Sequence, residues 1–173
     1  MELVPEEEFS DFFERTQRKL LAQAYLLTGD RQDAQDLVQE TYLRAWRGWG
    51  RVAGMDSPEA WLRRVLYNLA VGRWRRLAVR RSRNGSFDVP LSVPGTSIGH
   101  LDVVKVLQSL PPKQRQALVL TAFVGLSTAE AAKEMRASEG TVRVWVSRAR
   151  ARVAEALGLD VLSAARKGEA DAG

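Results

Sequence analysis

The fold is decided by the stretch STAEAAKEMRASEGTVRVWVSRAR, residues 127–150. Ser127 followed by Glu130 matches a capping box, which opens a short helix. Ser138 can cap a second, longer helix that runs on to about Leu157. A short helix, a three-residue turn and a longer helix make the helix-turn-helix pattern, which small helical bundles also show.

The longer helix separates an apolar side from a polar side when its residues are placed on a wheel at about 100° per residue. The apolar side is expected to face a core and comprises Val142, Val146, Ala149, Val153, Ala156 and Leu157. The opposite side carries Arg143, Val144, Ser147 and Arg148. Arginines reach phosphates or guanine edges, and an aliphatic group contacts a thymine methyl. This side therefore predicts DNA recognition, with a purely structural bundle as the alternative.

Hydrophobic periodicity predicts further helices and no convincing strand. In the first half we expect helices from about Glu6 to Leu27, from the cap Asp30 to about Arg47, and from Ser57 and Pro58 onward. The segment GWGRVAGMD between the last two is predicted to be a loop. In the second half we expect helices over Leu101 to Ser109, Lys113 to Phe123, Ser127 to about Met135, and Ser138 to about Leu157.

Two helical domains are separated by a change in composition. Residues 84–100 contain three glycines and two prolines, which is typical of a flexible linker. The expected fold class is therefore all-α, with one small helical domain at 1–83 and a second, containing the helix-turn-helix, at 101–158. Residues 159–173 are predicted to be a short tail.

Composition excludes several classes of function. With 45% hydrophobic and 27% charged residues, the chain is expected to be a soluble globular protein. Its N-terminus lacks the pattern of a secretion signal, so a cytoplasmic location is expected. Cysteine is absent, and the single histidine, His100, is predicted to lie in a loop-like segment. We therefore expect no enzymatic activity, no metal and no cofactor.

Charge is distributed unevenly along the chain. Residues 1–60 hold 7 basic and 12 acidic groups, whereas residues 61–83 hold eight arginines and no acid. This separation predicts two partners of opposite charge, one of them a polyanion. The alternative is that the charges only solvate helix faces.

The arginine-rich stretch AWLRRVLYNLAVGRWRR, residues 60–76, also carries aromatic rings. On a helical wheel, the expected core side comprises Trp61, Leu62, Val65, Leu66 and Leu69. The outer side comprises Arg64, Tyr67, Asn68, Val71, Trp74 and Arg75. Arginine neutralises phosphates and aromatic faces stack on unpaired bases, so this side suits opening or single-stranded DNA. The alternative is that Tyr67 and Trp74 pack under neighbouring helices.

The second helix carries an acidic stripe, formed by Asp33, Asp36 and Glu40. The buried side of the same helix is expected to comprise Ala34, Leu37, Val38, Thr41, Tyr42 and Ala45. An acidic stripe beside Gln39, Leu43 and Arg47 repels nucleic acid and favours a basic protein surface. The alternative is a solvated face with a helix-internal pair between Glu40 and Arg44.

Two long segments resemble the extracytoplasmic-function (ECF) group of bacterial sigma factors, in the sigma-70 family. LTGDRQDAQDLVQETYLRAWRGW with SPEAWLRRVLYNLAVGRWRR is similar to region 2, and LPPKQRQALVLTAFVGLSTAEAAKEMRASEGTVRVWVSRARARV is similar to region 4. The resemblance covers about residues 9–157. It implies a transcription initiation factor that binds core RNA polymerase, through the beta-prime clamp and the beta flap, and that recognises and helps to melt promoter DNA. Sigma factors of this group are commonly held by anti-sigma factors.

The resemblance also implies roles for individual residues. The positions that match the polymerase-binding region are Asp36, Gln39, Glu40 and Arg44. Residues 47–57 match a loop that captures a flipped base of the minus-10 element, and the neighbouring minus-10 and melting surface comprises Trp61, Arg64 and Asn68, to which the outer side of the helix adds Tyr67 and Arg75. The positions that match minus-35 contacts are Gly140, Thr141, Arg143, Val144, Ser147 and Arg148.

The chain departs from the family pattern at Val144 and Trp145, where a Ser-Arg pair is usual. The loss of that arginine removes one phosphate contact, so a different minus-35 sequence is expected. Two other classes of function are alternatives to a sigma factor. A stand-alone helix-turn-helix regulator would bind duplex DNA without polymerase, and a helical anti-sigma or adaptor protein would not bind DNA.

Overall fold

The computed structural model describes residues 5–84 and 100–158, and every regular element within these ranges is helical. The predicted all-α fold class is confirmed. The chain divides into two compact units, with the boundary between residues 95 and 96, inside the stretch 85–99. That stretch, which holds most of the predicted linker, and the predicted tail at 159–173 lie outside the described residues. None of the described helices is long and apolar enough to cross a membrane.

Residues 5–84 of the first unit form four helices: α1 (Pro5–Thr28), α2 (Arg31–Arg47), α3 (Trp49–Val52) and α4 (Pro58–Asn84). α1 ends where the backbone amide of Gly29, with φ of 73°, donates to the carbonyl of Tyr25 at 2.7 Å. Asp30 then caps α2, because its Oδ1 accepts from the amide of Asp33 at 2.8 Å. Both signals are local. The end of α1 near Leu27 and the cap at Asp30 were predicted correctly.

The helical turn α3 contradicts the prediction that GWGRVAGMD is a loop. Trp49 is 6% exposed and Val52 is fully buried, so two apolar side chains three positions apart reach the core. The amide of Val52 donates to the carbonyl of Gly48 at 3.0 Å. Burial of these two side chains outweighs the low helix propensity of the surrounding glycines.

The second unit contains α5 (His100–Ser109), α6 (Pro112–Leu118), a π-helical turn (Val119–Phe123), α7 (Thr128–Met135) and α8 (Glu139–Ala156). His100 therefore begins a helix. The prediction that it lies in a loop-like segment is wrong. The predicted helix over Lys113 to Phe123 is present, but its last turn widens to the π form, and Phe123 is left half exposed.

The helix-turn-helix has the predicted caps. The Oγ of Ser127 accepts from the amide of Glu130 at 3.2 Å, and the carboxylate of Glu130 accepts from the amide of Ser127 at 2.7 Å. Ser138 caps α8 through the amide of Thr141 at 3.1 Å. Between the two helices, Arg136 is left-handed with φ of 52°, a conformation that costs energy for any residue with a Cβ.

α8 buries a narrow side against the core of the second unit. Val142, Val146 and Ala149 are buried, as predicted. Val153 and Leu157 are only half buried, and Ala156 is exposed. The prediction that Ala156 is buried is wrong, because the buried side of α8 is narrower than predicted and its last buried residue is Ala149.

Arg115 is a buried charge that sequence reasoning did not identify. It is 6% exposed, and it donates to the carbonyls of Gln108 at 2.8 Å and Leu110 at 3.1 Å. These carbonyls belong to the end of α5, where backbone acceptors lack helical partners. Arg115 therefore holds the turn between α5 and α6.

Candidate functional site

The outer face of α2 exposes the four side chains assigned to polymerase binding. The side chain of Asp36 is 48% exposed, and Gln39 is also exposed. Glu40 accepts from the Nε of Arg44 at 2.8 Å, with both side chains partly exposed. The helix-internal pair predicted as the alternative is therefore present, but it lies on the surface and leaves all four residues accessible to a partner.

Asp33 differs from the rest of the acidic stripe. It is bonded to Arg73 of α4, and the same guanidinium lies 3.8 Å from the carboxylate of Asp36. Asp33 therefore already has a basic partner within the chain, which the prediction for the acidic stripe did not include. The wheel of α2 alone does not reveal this contact, since Arg73 lies 40 positions away in sequence.

An apolar groove of about 390 Å³ runs beside the acidic stripe, between α1 and α2. Its walls are formed by Phe9, Phe13, Leu21, Gln35, Val38, Gln39, Tyr42, Leu43 and Trp46. Leu21 is 38% exposed, and Leu43 and Trp46 are each 45% exposed. Exposed apolar side chains next to charged ones are typical of a protein-binding surface. The contribution of α1 was missed, because no local motif marks it.

The floor of this groove is fixed by a buried polar pair. Thr16 donates to the carbonyl of Phe12 at 2.7 Å, and its Oγ1 lies 2.7 Å from the hydroxyl of Tyr42, within hydrogen-bond distance. Burial raises the pKa of Tyr42 above its ordinary value, and the hydrogen bond to Thr16 partly offsets this shift. The ring of Phe13 packs edge-on against Tyr42, with centroids 4.7 Å apart.

The segment 47–57, assigned to capture of a flipped base, lies next to a second concave surface of about 650 Å³. Its lining residues are Pro5, Trp46, Arg47, Gly48, Trp49, Gly50 and Arg51. Arg47 and Arg51 are exposed, whereas Trp49 is buried. The surface therefore offers two cations, Arg47 at the end of α2 and Arg51 in α3, and the half-exposed ring of Trp46. This combination accommodates a base and its phosphate.

The residues of α4 that were assigned to the minus-10 and melting surface lie partly on the surface and partly in the core. Asn68 and Arg75 are exposed, and Trp61 and Arg64 are half buried. Tyr67 is only 6% exposed, so its placement on the outer side was wrong. α4 packs against both α1 and α2, which buries a wider arc than one helix face. Trp74 is half buried, with its ring edge-on to Tyr67 at 6.2 Å.

α8 presents all six residues assigned to minus-35 recognition. Gly140, Thr141, Arg143, Ser147 and Arg148 are exposed, and Val144 is 46% exposed. Arg143 donates to Glu139 at 2.6 Å, and Glu139 also accepts from Thr128 at 3.1 Å. These contacts place the Arg143 guanidinium beside Glu139, with the Arg143 side chain still 68% exposed.

Trp145, one of the two departures from the family pattern, has a structural role. Its half-buried ring packs against the core cluster that includes Leu120, Met135 and Val142. Val144, the other departure, is on the exposed side between Arg143 and Arg148. The two substitutions therefore act differently, since Trp145 supports the fold and Val144 changes the exposed surface.

Comparisons with known proteins identify the same two regions. Residues 12–80 match the family Sigma-70 region 2, and residues 100–153 match the family Sigma-70, region 4. The RNA polymerase sigma-E factor of Streptomyces avermitilis is 34% identical over 154 residues, covering 87% of this chain and 85% of that protein. The ECF RNA polymerase sigma factor SigM of Mycobacterium tuberculosis is 32% identical over 151 residues, covering 87% and 77%.

Two solved structures are similar to this chain. The sigma factor RpoE of Bartonella quintana, crystallised with the anti-sigma factor NepR, aligns with a TM-score of 0.77 and 28% identity, covering 89% of this chain and 99% of that one. CnrH, in complex with the cytosolic domain of CnrY, aligns with a TM-score of 0.62 and 27% identity, covering 90% of each chain.

Proposed function

The chain belongs to the ECF group of sigma-70 RNA polymerase sigma factors, and on that premise we propose which of its surfaces performs each step of initiation. As a sigma factor, it binds core RNA polymerase and directs it to promoters. The proposal assigns polymerase capture to α2, strand opening to α3 and α4, and minus-35 recognition to α8. The stand-alone regulator is not favoured, because the chain matches sigma factors over both of its units.

The observation that carries this assignment is that α2, α4 and α8 expose surfaces of different chemistry. α2 exposes carboxylates beside an apolar groove, whereas α4 and α8 expose arginines. A carboxylate surface repels DNA and attracts a basic protein, and an arginine surface does the reverse. One partner is therefore a protein and the other is nucleic acid.

Polymerase capture is assigned to Asp36, Gln39, Glu40 and Arg44, together with the groove between α1 and α2. Leu43 and Trp46 supply exposed apolar area at the edge of the charged residues. A desolvated aromatic anchor surrounded by charged residues is the usual arrangement of a strong protein interface. The beta-prime clamp is the proposed partner, and the beta flap is the proposed partner of the second unit.

Strand opening is assigned to Trp61, Arg64, Asn68 and Arg75 on α4, with residues 47–57 as the pocket for a flipped base. Tyr67 is excluded from direct base contact by its burial and supports α4 from within. Unpaired bases bind a preformed aromatic and cationic surface without any chemistry by the protein, so the factor traps an open state. We accordingly propose no enzymatic activity.

Minus-35 recognition is assigned to the exposed side of α8. Arg143 and Arg148 are placed to reach phosphates or guanine edges, and Val144 adds an apolar contact suited to a thymine methyl. In the free protein, Arg143 donates a hydrogen bond to Glu139. On binding DNA, the guanidinium must either leave Glu139 or contact Glu139 and the DNA together. The N-terminus of α8, at Gly140 and Thr141, contributes small exposed residues that allow close approach to the backbone.

The proposed cellular location follows from the two partners, core RNA polymerase and promoter DNA. We propose that the factor works in the bacterial cytoplasm, where RNA polymerase and the chromosome meet. RpoE and CnrH were each solved with a partner, NepR and CnrY respectively. We propose an anti-sigma factor as a regulator of this chain as well, with its binding surface on the exposed groove of the first unit.

Run-off transcription tests the function directly. The purified chain is added to core RNA polymerase on sheared genomic DNA from the source bacterium, and the transcripts are mapped. Initiation that depends on the chain, at sites sharing minus-10 and minus-35 sequences, is the expected result. Tight binding to duplex DNA without polymerase, and no added initiation, would instead establish the stand-alone regulator.

A further inference from the structure

Arg73 connects the two functional surfaces of the first unit. It belongs to α4, the arginine-rich helix, but its guanidinium is bonded to Asp33 of α2 and lies 3.8 Å from Asp36. The side chains of Arg73, Asp33 and Asp36 are 32%, 28% and 48% exposed, respectively. Arg73 was not among the residues assigned to either partner.

This contact changes the charge that α2 presents in the free protein. Glu40 is paired with Arg44, and the two aspartates share Arg73. Every carboxylate of the acidic stripe therefore already has a cation within the chain. A basic surface of another protein gains its full attraction to Asp36 only if Arg73 gives up part of its interaction with that carboxylate.

The same contact changes what α4 presents to DNA. Arg75 and Arg76, two and three positions along the helix, are exposed. Arg73 carries the same charge but is directed to carboxylates, which compete with phosphate for it. In the free protein, Arg73 is therefore less available to DNA than the exposed Arg75 and Arg76.

We propose that Arg73 is a phosphate-binding residue that changes partners, held by Asp33 and Asp36 in the free factor and released toward promoter DNA when polymerase occupies Asp36. The inference rests on the proposed docking of polymerase at α2. Partly exposed ion pairs of this kind change equilibrium constants by about fivefold or less. A pair of that strength can exchange, whereas a fully buried pair would lock Arg73 in place.

Exchange predicts opposite effects of one substitution on the two partners. Arg73→Gln should tighten the binding of core polymerase by about two- to fivefold at low salt, because the carboxylates lose their internal competitor. The resulting holoenzyme should bind promoter DNA more weakly, and its salt slope should fall by about one. Arg73→Lys, which keeps the charge, should lie closer to the wild type in both assays.

Arg76→Gln is the matched control, since Arg76 is an exposed arginine on the same helix. It should weaken DNA binding and leave polymerase affinity unchanged. Asp33→Asn provides a second variant, because it frees Arg73 without touching a proposed polymerase contact. The free Asp33→Asn protein should bind a single-stranded minus-10 oligonucleotide more tightly than the wild type, and adding Arg73→Gln should remove that gain.

The experiment measures the affinity of each variant for core polymerase and the affinity of its holoenzyme for a mapped promoter, with thermal unfolding to verify the fold. Weaker polymerase binding by folded Arg73→Gln would overturn the inference and make Arg73 a static support of α2. Unchanged DNA binding would overturn it equally. If the wild type itself failed to bind polymerase, the proposed function would fall first, which distinguishes the two failures.

Discussion

α4 and α8 both carry arginines that we propose to contact DNA, but the two helices differ in how much of their surface is buried. The buried positions of α4, Leu62, Leu66, Tyr67 and Ala70, span about 140° of the helix. Those of α8, Val142, Val146 and Ala149, span about 60°. A wheel based on one apolar face therefore describes α8 well and misplaces Tyr67 in α4, which packs against two long helices.

Tyr67 gives the largest expected effect. Tyr67→Ala should lower the free energy of unfolding of the first unit by about 3–5 kcal/mol, because it removes a buried ring between α4 and its neighbours. Urea denaturation of the full chain, followed by circular dichroism, measures the loss.

Asn68→Ala is the control for Tyr67, since the neighbouring side chain is exposed. It should change stability by less than about 0.5 kcal/mol while weakening binding of the holoenzyme to a single-stranded minus-10 oligonucleotide. If Tyr67→Ala left stability intact and abolished oligonucleotide binding, the wider buried arc of α4 would be refuted.

On α8, the arginines are expected to contribute to binding and not to folding. Arg143→Ala and Arg148→Ala should each cost about 1–3 kcal/mol of binding free energy at the minus-35 element, measured with the holoenzyme on a mapped promoter. Arg152→Ala, at an exposed position near the end of α8, is the control. Unchanged promoter affinity in the Arg143→Ala/Arg148→Ala double variant would remove α8 from the DNA interface.

The contrast between the helices explains how much the sequence could predict. Caps depend on residues three positions apart, so Asp30, Ser127 and Ser138 were placed correctly. The turn at α3, the burial of Tyr67 and the contact of Arg73 with Asp33 depend on helices that are distant in sequence. The contacts of Arg115 span only five to seven positions, but they depend on how the turn between α5 and α6 folds. A single sequence gives periodicity but does not say which helices lie on either side, so these features required the structure.

The exposure of the assigned recognition residues likewise depends on which helices pack against each one. All six assigned positions on α8 are on the surface because their helix has one narrow buried side. On α2 the exposure of Asp36 and Glu40 was predicted, but the capture of Asp33 by Arg73 was not. The groove beside them combines side chains from α1 and α2, and only their packing brings these side chains together.

Stability at alkaline pH tests the burial of Tyr42 in the first unit. The folded-state pKa of Tyr42 is raised by burial, so the protonated hydroxyl favours the folded state. This contribution to the free energy of unfolding is complete below the unfolded pKa of about 10. It is lost as the pH rises through the folded pKa, because deprotonation then favours the unfolded chain. The wild type should lose stability above about pH 10 more steeply than Tyr42→Phe, in urea titrations at a series of pH values. Parallel pH profiles of the two proteins would contradict the burial of the Tyr42 hydroxyl.

The smallest expected effect is a local one in the second unit. Arg136→Gly should raise the free energy of unfolding by about 0.5–1 kcal/mol, because glycine adopts the left-handed conformation of the turn without a Cβ penalty. Arg136→Ala keeps the Cβ and should give no such gain. Equal stability of the glycine and alanine variants would show that the backbone at Arg136 is not the cause.

Co-elution with core RNA polymerase on a sizing column, at moderate salt, tests most directly whether α2 captures polymerase while α8 reads the minus-35 element. The wild type and the Arg143→Ala/Arg148→Ala variant should both co-elute with polymerase. The Asp36→Lys/Glu40→Lys variant, with its fold verified by circular dichroism, should elute alone. Intact holoenzyme with the charge-reversed variant, or failure of the folded wild type to bind polymerase, would contradict this division of roles.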